Sequence, residues 1–404
     1  MLVGVGFSDE PDTASCARAA AVKAVQEAGR NAPCDLVLLF ATARHDGEII
    51  RKVVASVVGE GVPIVGGGAV GTMVNDRFGY GGDQLALAVI WLENTTVKLV
   101  CQDRLHEGER EAGEKLGRKL AETGLSPDAP VLFFYDAIDR TGGGIRMVTA
   151  TMLLEGIKKG LGFLPAISGG GLQGDYICTP TRQLTGQGVS GQNAMALVFG
   201  GDVRMDCTII HGCRPVTGYY TVTRADGQIL LEINGVPALG FMEELLGKAV
   251  PPEQWPFFLF FGVNRGRSKW DDLKEENYVN RPCVAIDRKR NGIVMSEPDM
   301  VAGTEFQVMY RSLDLDYMAP RIEALFQGLG GRKPVFALYV DCAGRAAAQA
   351  GIELEDALVV QQCVAARVPL LGLYTGVEIA PVRGEPCGLG LTGVFCLFSI
   401  SGDM

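Results

Sequence analysis

One order of segments recurs along this chain, and it restricts the fold more than any single motif does. Each unit reads as helix, apolar strand, helix, glycine-rich strand end, then one or two further strands. In the first unit Asp12–Ala28 is a helix, and Leu36-Val37-Leu38-Leu39-Phe40 reads as a strand buried on both faces. Ile49, Ile50, Val53, Val54, Val57 and Val58 share one face of a second helix. Pro63-Ile64-Val65-Gly66-Gly67-Gly68 follows, then strands at Leu85–Leu92 and Val97–Cys101. The second unit has helices at Glu109–Thr123 and Ile145–Lys159 around a strand at Val131–Tyr135. Ile167-Ser168-Gly169-Gly170-Gly171 takes its glycine position, and strands at Ala194–Phe199 and Met205–Ile210 complete it. A C-terminal unit has a strand at Val335–Val340, a helical stretch over Ala343–Ala366, Gly372-Leu373-Tyr374-Thr375-Gly376, and a last strand at Thr392–Ile400. A weaker, strand-rich unit lies at about 239–310. The order predicts a mixed α/β (α+β) protein of two related domains, residues 1–220 and 221–404. Each domain is expected to hold β-sheets packed with outer helices and to be built from two half-domain repeats.

Composition narrows the partners. The chain has 54 glycines in 404 residues, well above the ordinary ~7%. With 47% apolar residues and 19 prolines, this is neither collagen nor disorder, so glycine serves backbone geometry. Lys plus Arg is 37 against 47 Asp plus Glu, a formal net charge of −10, and no long basic run occurs. Nucleic acid and anionic membranes are therefore poor partners. No apolar stretch reaches the ~18–20 residues of a membrane span, and Met1-Leu2-Val3-Gly4-Val5-Gly6 lacks a basic signal-peptide start. Eleven scattered cysteines without a Cys-x-x-Cys pair predict reduced thiols and a cytoplasmic location.

Several segments carry a family likeness. They are Cys34–Ala41, His45-Asp46, Pro63–Gly71 and Ile167–Asp175 in the first half. In the second half they are Asn280-Arg281-Pro282, Asp341-Cys342-Ala343-Gly344-Arg345 and Gly372–Ile379. Their order resembles the FIST family (F-box and intracellular signal transduction), with FIST N and FIST C domains over about 35–400. The resemblance implies a sensory role. Family members bind small ligands, amino acids among them, and signal to kinase, cyclase or receptor modules; some bind haem and respond to nitric oxide. These 404 residues hold no output module, so a separate output protein is expected. The first glycine motif lacks the family's usual cysteine and serine, and Gly390-Leu391-Thr392-Gly393 lacks the usual Asn before Thr392.

The candidate ligand-binding residues lie at strand ends. Backbone amides near Gly67, Gly68 and Gly170, with Ser168, could hold a carboxylate or phosphate; alternatively, glycine there admits another backbone. His45 and Asp46 lie between a strand end and a helix start, where α/β ligands bind, although Asp46 alone would serve as an N-cap. Asp136 sits beside Gly142-Gly143-Gly144, which is either an anion site at a helix N-terminus or a loop. Tyr374, Thr375 and Glu378 suit an amino group and an apolar body. Asn264 and Arg265 could pair a ligand carboxylate, and Arg281 joins them through the resemblance. Cys342, with Arg345, is a candidate ligand contact or a candidate nucleophile for a hydrolase or transferase. Cys207, Ile209, His211 and Cys213 would share a face if 205–213 were one strand, a place for a soft metal or haem. The expectation is a small-molecule sensor, not an enzyme, without cofactor or metal; cysteine catalysis and haem-based gas sensing are the alternatives.

Overall fold

The computed structural model describes residues 1–247, 250–270 and 272–402. Three six-stranded sheets have the same internal order. The first runs Leu2–Ser8, Leu85–Trp91, Leu36–Ala41, Ile64–Gly68, Gln183–Gly186, Val189–Ser190. The second runs Thr95–Gln102, Ala194–Gly201, Pro130–Asp136, Ala166–Leu172, Val377–Val382, Glu385–Leu389. The third runs Arg204–Ile210, Gly393–Ile400, Lys333–Cys342, Leu370–Thr375, Gly71–Val74, Phe78–Tyr80. In each, the third and fourth strands are parallel. The last two strands of each sheet form a hairpin supplied by another unit: the first sheet takes it from the second unit, the second from the third, and the third from the first. This exchange closes a ring and ties the two halves of the chain together by strand pairing.

The apolar runs follow from this arrangement. Leu36, Leu38 and Phe40 point into a core shared by all three sheets, with Phe134, Leu338 and Phe398. Val37 and Leu39 point the other way, under the helices Thr13–Ala28 and Gly47–Val58. Period-2 alternation thus buries both faces, and no polar position survives in the strand. Equivalent helix layers cover the second and third sheets.

The strand glycines lie inside strands instead of turning their ends. At Gly66, with φ +141°, a Cβ would sit 1.9 Å from the Leu39 carbonyl oxygen. At Gly169, with φ +145°, it would sit 2.0 Å from that of Phe133. A second use of glycine is helix packing. Glu109–Ala121 and Ala150–Leu161 cross at Gly113, Gly117, Gly156 and Gly160, where any Cβ would meet a carbonyl oxygen at 2.1–2.5 Å.

Three expectations change. The weaker fourth unit is a closed barrel. Glu305–Arg311, Tyr220–Asp226, Ile229–Ile233, Gly292–Met295, Tyr278–Asp287 and Phe260–Asn264 pair in turn and return to Glu305–Arg311. Val222, Leu230, Phe261, Met295 and Phe306 fill it, and helix Ala238–Leu246 packs against it. The helix expected from Ile145 starts at Ala150, because Arg146–Met147 pairs with Ile138–Asp139. Gly142–Gly144 is therefore an exposed loop before a strand and no helix N-terminus. The strand expected over 205–213 ends at Ile210, and Gly212 turns the chain at φ +62°. His211 thereby leaves the face of Cys207 and Ile209. Among the described residues no helix is long and apolar enough to cross a membrane.

Candidate functional site

Each parallel strand pair ends in a crevice, where the loop after its first strand meets a segment of a neighbouring unit. Ligands of α/β sheets favour such strand ends. Ala41–Gly68, Tyr135–Gly171 and Asp341–Tyr374 are the equivalent cross-strand pairs.

In the first crevice His45, Gly67 and Gly68 line a cavity of about 40 Å³ with Thr42, Thr181 and Arg182, room for a few waters. His45 Nε2 donates to the Asp83 carbonyl at 2.7 Å, and Nδ1 accepts from the Thr13 hydroxyl at 3.2 Å. Both ring nitrogens are thus engaged by the protein. Asp46 is a helix cap, accepting from the Glu48 and Ile49 amides at 2.9 and 3.0 Å.

In the second crevice Asp136 accepts from the Ile138 amide and from the Gln192 amide and side chain at 2.9–3.2 Å. Burial still holds its carboxyl above the usual range. Ser168 joins neither crevice: it is fully buried and donates to Cys207 Sγ at 3.1 Å. Gly170 packs on the third crevice, where its Cβ would lie 3.3 Å from Thr375 Cγ2.

The third crevice gathers charge. Arg345, fully buried, bonds Asp341 Oδ1 at 3.0 Å and also pairs with Asp356. Its remaining donors reach the His211 and Leu391 carbonyls at 2.9 and 3.2 Å and the Tyr317 hydroxyl at 3.3 Å. Arg311 holds the other oxygen of Asp356 at 2.6 Å. Asp356 therefore takes the fuller share of positive charge, and Asp341 is left with burial and a like charge beside it. Its carboxyl is pushed up to about 8, and its Oδ2 is a buried oxygen without a hydrogen-bond partner. Glu378 accepts from the Thr375 hydroxyl at 2.9 Å and the Thr392 amide at 3.4 Å. Burial, with Asp341 adding to it, lifts Glu378 well above the usual carboxylate range. Tyr374 and Tyr80 donate to Glu355 at 2.8 and 3.3 Å, and burial raises that carboxyl too. Burial first, then Glu378 and Asp341, hold the Cys342 thiol well above its ordinary value. Tyr176, from the second unit, reaches over the crevice to the Ala343 carbonyl at 3.1 Å. Its segment also supplies Gly174 and Thr181 to the first crevice.

Cys342, Arg345, Tyr374, Thr375 and Glu378 thus converge, as one site requires. Glu355 and Asp356 escaped the sequence reading, although acids just before an apolar run signal a helix start. Arg311 and Tyr80 are remote in sequence and left no local signal. Three candidates sit elsewhere, on the barrel. Arg281 is fully buried and grips Asp299 with two bonds of 2.6 Å while donating to the Gly388 carbonyl at 2.8 Å. That fastens barrel to hairpin and occupies its guanidinium. Arg265 also pairs with Asp299, at 2.8 Å. Asn264 bonds the Tyr219 hydroxyl and the Gly266 amide, at the mouth of an open depression beside Lys269 and Trp270. At His211, Nδ1 accepts from the Cys213 amide and Nε2 donates to the Glu275 carbonyl, with burial pushing the ring down to about 4.

A ring of three α/β units with a buried acidic crevice and an inserted barrel defines the class of protein. Residues 35–236 match the FIST N domain and residues 238–381 match the FIST C domain. The chain belongs to the FIST family, whose domains are sensory domains of signal transduction. It is similar to an uncharacterized protein of Mycobacterium tuberculosis (strain CDC 1551 / Oshkosh), 26% identical over 98% of this chain and 100% of that one. It is also similar to an uncharacterized protein of Mycobacterium bovis, 25% identical over 98% and 99%. A crystal structure of a cyanuric acid hydrolase from A. caulinodans aligns over 99% of both chains, with a TM-score of 0.36 and 9% identity. That likeness is too low to carry an argument.

Proposed function

We propose that this protein is a cytoplasmic sensor that binds a small molecule carrying an amino group, an amino acid or related amine, in the third crevice. It would relay occupancy to a separate output protein. The excess of buried acid supports this reading. Asp341, Glu355, Asp356 and Glu378 face only Arg311 and Arg345 within the cluster. Burial and neighbouring acids raise the Asp341 and Glu378 carboxyls above the usual range, and an arriving ammonium group would let them ionise. Tyr374 and Thr375 would orient the ligand. Entry requires Tyr176 to lift from Ala343. Because that segment also lines the first crevice, its movement gives a route from occupancy to the surface.

A thermal-shift series of amino acids, their decarboxylated amines and their deaminated acids tests the reading. Compounds with an amino group should raise the melting midpoint, and Glu378→Gln should remove the shift. A flat response, or a shift retained in E378Q, would overturn it. No catalytic step belongs to the proposal. A thiol raised by burial and two acids is a poor nucleophile, so iodoacetamide should label Cys342 slowly at neutral pH. Both nitrogens of His45 and of His211 are already bonded, so neither should ligate added haemin, and any histidine-ligated Soret band should disappear in His106→Ala.

A further inference from the structure

Outside the crevices, three reactive groups from three strands meet. Cys207, on the edge strand Arg204–Ile210, lies directly opposite Cys396 on Gly393–Ile400. Their sulfurs are 3.2 Å apart, and Ser168, on a strand of the second sheet, donates its hydroxyl to Cys207 Sγ at 3.1 Å. Among the described residues this is the one pair of cysteine sulfurs in hydrogen-bond contact. We propose that Cys207 and Cys396 are a thiol modification site, converted by peroxides to a reversible cross-strand disulfide.

The geometry permits it without backbone movement. Directly opposed residues of antiparallel strands have Cα atoms roughly 4.5 or 5.5 Å apart, inside the range of roughly 4.4–6.8 Å that disulfides span. The roles of the sulfurs differ. Cys207 is half-buried on an edge strand, within reach of a small oxidant, whereas Cys396 is buried in the shared core. The Ser168 hydroxyl donates to Cys207 Sγ and so holds it beside Cys396 Sγ. In the first step Cys207 sulfur attacks one peroxide oxygen, an S–O bond forms, the O–O bond breaks, and the departing hydroxide leaves as water with the Cys207 proton. In the second, Cys396 sulfur attacks Cys207 sulfur, the S–S bond forms, the S–O bond breaks, and the hydroxyl departs as water with the Cys396 proton. Two thiols are oxidised and hydrogen peroxide is reduced to two waters. A dithiol reverses the change. The disulfide would staple the edge strand, which leads directly into the barrel, to the strand beside it.

This site is independent of the crevice ligand. The full chain, reduced and then treated with one equivalent of hydrogen peroxide, is alkylated and mapped by mass spectrometry. The expected product has lost two hydrogens and contains a peptide pair linked through Cys207 and Cys396; dithiothreitol restores both thiols. Cys207→Ser and Cys396→Ser should each abolish the link, and Ser168→Ala should slow its formation several-fold. Oxidation confined to half-exposed Cys101, Cys178, Cys363 or Cys387, or a link between other cysteines, would overturn the proposal. So would an unchanged mass for the Cys207 and Cys396 peptides. The wild-type map decides the matter even where a serine variant folds poorly.

Discussion

His45 in the first crevice and Arg345 in the third occupy the same place in their units. Each lies four residues beyond the equivalent strand residue, Ala41 or Asp341. Each reaches the carbonyl two residues before the last strand, Asp83 or Leu391, and a hydroxyl where the first helix begins, Thr13 or Tyr317. The backbone frame is shared; the charge is not. The imidazole is satisfied by two bonds and leaves a small cavity. A buried guanidinium needs Asp341 and Asp356, and Asp356 in turn takes Arg311. With Asp341 in the place of Ala41 and Arg345 in the place of His45, the repeated frame holds a cluster of coupled buried charge in the third crevice.

The largest expected difference follows from removing that charge. Arg345→Met should cost about 3–5 kcal/mol in urea unfolding, because buried Asp341 loses its ion-pair partner and Asp356 is left with Arg311 alone. His45→Leu should cost only about 1–2 kcal/mol, the loss of two neutral hydrogen bonds. Equal costs would break the comparison. Next, Gly66→Ala and Gly169→Ala should each cost about 3 kcal/mol, since a Cβ would collide with a neighbouring strand at an unfavourable φ. Similar losses at both positions would show that the frame itself is common.

A further effect concerns pH. Asp341 stays protonated in the folded chain up to about 8, whereas in the unfolded chain it ionises near ~4. The folded state therefore binds the extra proton between those values. Stability should fall as the pH rises across that window. Glu378, raised in the same direction, adds to the fall. Thermal unfolding from pH 5 to 8 should show the decline, and Asp341→Asn should make it shallower, leaving the share of Glu378; an unchanged slope would remove the third crevice's electrostatic distinction. The smallest effect is expected in the first unit, where Asp46→Ala should cost about 1 kcal/mol as a lost N-cap, without altering the third crevice's pH dependence.

Much of this was legible beforehand. Leu36–Phe40, Val131–Tyr135 and Val335–Val340 are strands as read, because continuous apolar runs suit strands covered on both faces. The barrel was harder to see, since its short strands lie within a region that also contains a helix. Ser168, Asp46 and Arg281 look chemically available in sequence, yet core packing, a helix cap and an ion pair engage them.

By itself, the sequence determined the local elements, the recurrence of one order of segments, and the glycines that let parallel strands approach. These depend on periodicity and on backbone sterics, which are properties of neighbouring residues. Tertiary structure decided the exchange of hairpins around the ring, because one strand can pair with any edge of matching register. It also decided which acids share a site. Burial and coupling depend on what packs beside a carboxyl, and for Asp341 and Glu378 those neighbours include groups far along the chain.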